Sequence, residues 1–447
     1  MRHRFRRRVW TAVVVLTVSC GALTANVASS ASSATRCAHF VPRANLSHCN
    51  LAGTNLAGRN LSYANFNRSN LKGANLSNAN LVRSSFLSAN LEGTNLANAA
   101  LRSSNLTRAD LSDANLSRAV LKSASLRKAI LARTSLDGAD LIDANFSGAR
   151  LTDANLANAF IGGTVLTGAN LWGVRSGGFN YDPGGSPSVL PVKWQDIYGY
   201  LVGPGANLTG AHLGGANLQG VDLSQANLTD ANFTGAQGLN ANLSWTTLAG
   251  TTFAGAYLPG ADFAAATATG GNIDPTDFAG ADLAGATFTG TQFNAVSFVG
   301  TNLTGAVLTG TSQWYVNFDH ADLTNATMTG SSISCGGCAA GYTDTFISAN
   351  LTAADFHGLN LVNADFSKAD LTSANFSNAN FAGCAGSACT LGSSLVGSNF
   401  TGTNFLGATF KTGAGEATLG NNVWSGTTCP DGSNSDSDGG TCVNNGA

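Results

Sequence analysis

From Leu46 to Leu171 every fifth residue is Leu, Phe or Ile, 26 positions without a miss. Two residues before each stands Ala, Ser, Thr or Cys, with Arg59 the single exception. No ordinary element fits that spacing. An α-helix turns ~100° per residue, so a step of five smears the leucines around its axis. In a flat strand an odd step sends successive leucines to opposite faces. What remains is a chain that bends once per repeat. The small residue and the leucine, two apart, point inward together, and the next two polar residues turn a corner. Winding this way stacks leucines in the middle of a coil and leaves room beside them only for small side chains. Arg59 is the misfit, and its coil is expected to be distorted.

The stretch "ANLSNANLVRSSFLSANLEGTNL" (74–96) resembles the pentapeptide-repeat family. That resemblance implies an all-β fold, a right-handed quadrilateral parallel β-helix with four repeats per coil. The phrase returns in a new frame at Leu208, where 23 of the 27 central sites to 338 are Leu, Phe, Ile or Met; Gly238, Ala268, Gln313 and Cys338 are not. Two shorter runs follow, Phe346 to Phe381 and Leu395 to Phe410. Together they predict about 16 coils at the usual ~4.8 Å strand spacing.

The expected organisation is a signal peptide over 1–34, a first repeat block with its cap over 35–175, and an insertion over 176–205. A second block covers 206–338, third and fourth blocks with insertions 339–428, and a cysteine-closed tail 429–447. The signal reading rests on Arg2, Arg4, Arg6, Arg7 and Arg8 before the short apolar run Val9–Val18, then small residues. It predicts a secreted, extracellular or wall-associated protein whose mature chain has no membrane span. Eight cysteines remain beyond the signal, in close pairs: Cys37 and Cys49, Cys335 and Cys338, Cys384 and Cys389, Cys429 and Cys442. An even count in an exported chain reads as disulfides, with local pairing the simplest of many connectivities. The insertion is rich in proline and aromatics; Trp194, Ile197 and Tyr200 are expected to pack on the solenoid, with one short strand in "KWQDIYGYLV". Trp424 and the last cysteines are expected to cap the far end.

The chemistry-bearing residues are sparse. His3, His39, His48, His212, His320 and His357 form no ligand spacing, and no nucleophile elbow or phosphate loop is present. No enzyme, metal or cofactor is expected, apart from a weak calcium resemblance around Asp431 and Asp436. Charge is the variable feature. Residues 43–175 carry 14 Lys and Arg against 7 Asp and Glu, while 194–367 contain no Lys or Arg. A twenty-residue step places Arg68, Arg108 and Lys128 in one column beside Arg127, with Arg83, Arg102 and Lys122 adjacent. These seven form a candidate anion-binding flank for an acidic cell-envelope polymer or a partner protein.

Some members of the family imitate duplex DNA and bind type II topoisomerases, but a basic first half and export oppose that alternative, and no nucleic-acid partner is expected. The same step predicts two columns in the second block. One is an outward Thr-x-Thr array centred on 268, 288, 308 and 328, a remote likeness to ice-binding β-helices. The other is an acidic ladder of Asp222, Asn242, Asp262, Asp282, Asn302 and Asp322, open to a cation.

Overall fold

The computed structural model describes residues 37–180, 188–269, 276–333, 344–382, 393–412, 415–437 and 441–442. The segment 1–34 expected to be a signal peptide, and Cys335, Cys338, Cys384 and Cys389, lie outside them.

The chain bends at each polar pair. In one repeat the Ala64 N–H donates to the Leu61 carbonyl at 3.1 Å, and Tyr63, third in that turn, has φ 59°. This is a type II corner, whose third position must be left-handed. The left-handed state disfavours any residue with a Cβ, yet Tyr63, Arg68, Arg83 and Arg108 all occupy it. Two kinds of hydrogen bond hold it. The Tyr63 N–H donates to the Val82 carbonyl of the next coil at 2.9 Å. The Asn65 side chain caps the following corner, its Oδ1 accepting from the Asn67 N–H at 3.0 Å. This local turn-capping bond is a favourite of Asn and Asp, which explains why they so often precede the central residue.

Four corners complete a coil. Asn65 pairs in parallel with Ser85, and Ser85 with Asn105, each twenty residues on. The fold is therefore the all-β quadrilateral solenoid expected. Corners are named here by their central residues in one coil: 61, 66, 71 and 76. Every central residue of the first block is buried to 2% exposure or less, and inward threonines satisfy themselves, as when Thr94 Oγ1 donates to the Leu71 carbonyl at 2.9 Å. From the second block into the third, one corner becomes a column of parallel rings. Phe233, Phe253, Phe278, Phe298, Phe318, Phe346 and Phe366 stack with centroids 4.6–5.0 Å apart.

Three expectations change. Arg59 distorts nothing: its coil keeps the ladder, with the Asn80 N–H bonded to its carbonyl at 2.9 Å. Its side chain is exposed instead of stacked, because it lies in the first coil after the cap. The insertion holds two strands instead of one, β1 (Gln195–Ile197) and β2 (Tyr200–Val202), paired antiparallel. The third change is the coil length. Thr252 pairs with Asp277, and Thr267 with Gln292, so one coil takes 25 residues where its neighbours take 20. The chain there forms β3 (Thr267–Thr269), β4 (Thr276–Asp277), β5 (Gln292–Ser297), β6 (Ser312–Asn317) and β7 (Ser332–Ile333), with β5 at the centre of the ladder.

The insertion packs as expected. Ile197 is buried, and Trp194 and Tyr200 lie against the core. Trp194 touches the apolar clusters of both blocks, joining them across the change of frame. Cys37 and Cys49 are bonded, with Cα atoms 5.6 Å apart, and so are Cys429 and Cys442 at 5.3 Å. At the far end Trp424 packs on Phe400 with ring centroids 4.6 Å apart. An apolar lid and a cystine there cover the last coil, where a solenoid otherwise exposes its core and strand edges.

Candidate anion-binding face

The seven cations come together on two neighbouring corners. Arg68, Arg108, Arg127 and Lys128 stand at the 66 corner, and Arg83, Arg102 and Lys122 at the 61 corner. The coil-to-coil bonds fix this register: the Arg108 N–H donates to the Arg127 carbonyl at 2.9 Å, and the Arg83 N–H to the Arg102 carbonyl at 2.9 Å. Between the two edges runs a ladder of uncharged polar residues, Asn65, Ser85, Asn105, Ser125 and Asn145. The face is thus a neutral hydrogen-bonding strip with a positive border on either side.

The face includes a shallow hollow of 460 Å³ lined by Asn105, Thr107, Arg108, Ser125, Arg127 and Lys128. Two of its lining residues, Thr107 and Ser125, share a hydroxyl hydrogen bond of 3.0 Å. The electrostatics differ from the 71 corner. There Lys72 pairs with Glu92 at 2.9 Å and Arg133 with Asp113 at 2.7 Å, and this neighbour holds the Asp113 carboxyl below its ordinary range and raises the Arg133 guanidinium. Among the described residues none of the seven flank cations makes such an ion pair. Arg83 does have one partner, Tyr63, whose hydroxyl accepts from its Nη1 at 3.0 Å and whose ring lies beneath both Arg83 and Arg43. Tyr63 escaped the sequence reading, although its place twenty residues before Arg83 is the signal that would have found it.

The two second-block columns are not as expected. Because one coil holds 25 residues, Thr287 stacks on Asp262, and the column runs Asp262, Thr287, Val307, Thr327, Asp355. Thr267 belongs to another face, beneath Gln292. The Thr-x-Thr array is therefore cut to three coils between aspartates. The acidic ladder divides at the same place: Asp282 sits over Tyr257, not Asp262. Its upper part alternates Asp282, Asn302, Asp322, Asn350, Asp370 and Asn399, with each of these amides bonded to the carboxylate one coil before it at 2.9–3.1 Å. The ladder satisfies itself without a cation. Near the C-terminal cystine, Asp431 accepts from Ser433 and Asp436 from the Gly426 N–H, and no metal-binding group of three His, Cys, Asp or Glu exists among the described residues.

Comparison with known proteins agrees with this geometry. The model described as a pentapeptide repeat region matches residues 41–116. That of pentapeptide repeats (8 copies) matches 104–143, 144–175, 206–237, 240–274, 276–311 and 349–384, and the two together span more than half of the chain. No curated protein matches. Among solved structures the chain is similar to HetL, a pentapeptide repeat protein involved in heterocyst differentiation regulation from the cyanobacterium Nostoc sp. strain PCC 7120. The two are 20% identical over 93% of this chain and 99% of that one, with a TM-score of 0.22. A pentapeptide repeat protein of the Arabidopsis thaliana thylakoid lumen is 31% identical over 23% of this chain and 67% of its own, with a TM-score of 0.19. QnrB1, a plasmid-mediated fluoroquinolone resistance protein, is 16% identical over 46% and 81%, with a TM-score of 0.18.

Proposed function

Because the chain belongs to the pentapeptide-repeat family, we propose that it is a non-catalytic binding rod, exported from the cell, whose basic face holds an acidic polymer of the cell envelope. The observation that carries this reading is that, among the described residues, none of the seven cations along the two edges of one polar strip is neutralised by an ion pair. The coils set those charges one or two strand spacings apart, so a polyanion laid along the rod meets positive charge on both sides of its path. The polar ladder between them supplies hydrogen bonds that a charged chain needs as it loses water. An acidic protein surface is the other partner this face fits. A DNA mimic needs an acidic face, and the face of the first block is basic.

Blotting of fractionated cells tests export: the account expects the protein in the supernatant or wall, and a cytosolic protein contradicts it. Co-sedimentation with isolated envelope tests binding. The wild type should sediment and Arg108→Glu/Arg127→Glu should remain in solution; equal sedimentation of the two would remove the basic face from the account.

A further inference from the structure

Trp245 is in the left-handed corner position, with φ 61°, and it is 68% exposed. A side chain there is disfavoured by about 1–2 kcal/mol, and an indole left in water recovers little of that by packing. The corner holds this conformation as it does elsewhere, through the Trp245 N–H bond to the Ala264 carbonyl at 2.9 Å, and the indole is turned to solvent. The matching positions in the coils on either side hold Gln225 and Ala265.

A second indole stands on the same edge. Trp172 is 44% exposed, and its six-membered ring lies over the backbone of Gly205. A Cβ on that glycine would fall 2.4 Å from the ring, so the chain needs glycine there to seat the indole. The hydrogen-bond ladder fixes the separation. The Gly173 N–H donates to the Gly205 carbonyl at 2.7 Å, Gly205 to Ser224 at 2.8 Å, and Gln225 to Ser244 at 2.8 Å. The two indoles therefore lie three coil steps apart along the 71 corner, about 14 Å. Of the two coils between them, one turns at Gly203, Pro204 and Gly205 and the other at Ser224 and Gln225. Gln225 is exposed, Ser244 bonds to Asn242 at 2.7 Å, and Lys193 is neutralised by Asp222 at 2.7 Å.

We propose that this edge binds a single strand of neutral polysaccharide. The C–H faces of its sugar rings lie on Trp172 and Trp245, and its hydroxyls meet Gln225, Ser244 and Asn242 between them. An indole face is electron-rich and attracts the weakly positive C–H groups of a sugar. The coil step is comparable to one sugar ring, so a straight glycan follows the rod in register. A protein partner or a lipid surface would need a continuous apolar patch, which the polar coil of Ser224 and exposed Gln225 interrupts. The proposal is independent of the basic face, which lies on other corners.

Co-sedimentation of the purified protein with microcrystalline cellulose and with chitin tests it, with zwitterionic phosphatidylcholine vesicles in parallel. The wild type should be retained by at least one polysaccharide and not by the vesicles. Trp245→Asn is the telling variant, because Asn is at ease in the left-handed corner. Its melting temperature should hold or rise while retention falls at least tenfold. Trp172→Ala should lose retention similarly. Trp314→Ala, removing an indole 42% exposed on the 76 corner, should change nothing. The Arg108→Glu/Arg127→Glu variant should keep polysaccharide retention, which separates this proposal from the basic face. Retention of the wild type by neither polysaccharide, retention on vesicles alone, or undiminished retention of Trp245→Asn would overturn it.

Discussion

The Asn302 side-chain amide donates to the Asp282 carboxylate one coil below it at 2.9 Å. The same relationship recurs from Asn350 to Asp322 at 3.1 Å and from Asn399 to Asp370 at 3.1 Å. An acidic column would repel itself at the coil spacing; interleaved amides turn that repulsion into a chain of charge-assisted bonds.

Replacing one amide should reverse the sign. Asn302→Asp stacks three carboxylates in successive coils and removes a hydrogen bond, so it should destabilise by about 1–3 kcal/mol at pH 7 and low salt. Added salt or acidification to pH 4 should narrow the gap. Thermal melts at several salt concentrations measure it, and a melting temperature equal to wild type would deny the ladder.

The inward register makes a sharper demand. Leu106 is fully buried, and Leu106→Asp places a carboxylate among stacked leucines with no partner, costing several kcal/mol. Thr107, the next residue, is partly exposed beside Arg108 and Arg127. Thr107→Asp should cost less than about 1 kcal/mol. Denaturant titration of the two variants compares them, and equal losses would mean the register is wrong.

The corner position gives a third pair. Ser103 has φ 55°. Ser103→Gly relieves the left-handed strain and should stabilise by up to about 1 kcal/mol, and Ser103→Val should destabilise by a similar amount. The two melting temperatures should therefore straddle wild type.

Asp344 should make stability depend on pH. It is 6% exposed, and burial pushes its carboxyl up to about 6, against hydrogen bonds from the Val316 and Tyr315 backbone that lower it. The Val316 N–H bonds one oxygen at 2.7 Å, and the other has no partner. With its folded pKa above its unfolded value, the native state binds the extra proton between roughly pH 4 and 6. Stability from this group is thus fully present below about pH 4, falls as pH rises through about 6, and stays low above it. Asp344→Asn should remove that slope and stabilise the protein at pH 7 by about 2–3 kcal/mol. Chemical denaturation from pH 4 to 8 reads both effects.

A leucine at every fifth place left no room for helix or flat strand, and the twenty-residue step implied by the family resemblance placed Arg68, Arg108 and Lys128 together as the coils do. The same step failed after Thr267. An extra five residues keep the phrase in step while lengthening the coil, so a period of five cannot tell a coil of four repeats from one of five. Pairing of the coils, not spacing along the chain, decides which columns exist. The strained Trp245 was hidden for a related reason: left-handed φ belongs to a position in the corner, and nothing in the residue type of Trp announces it.

The central claim is that the 61 and 66 corners bind a polyanion through charge. Isothermal titration with polygalacturonate over a range of salt concentrations tests it most directly. The account predicts an affinity that weakens steadily as salt rises, and a loss of at least tenfold in Arg108→Glu/Arg127→Glu at the lowest salt. Binding that ignores salt, or an unchanged affinity in the double variant, would contradict it.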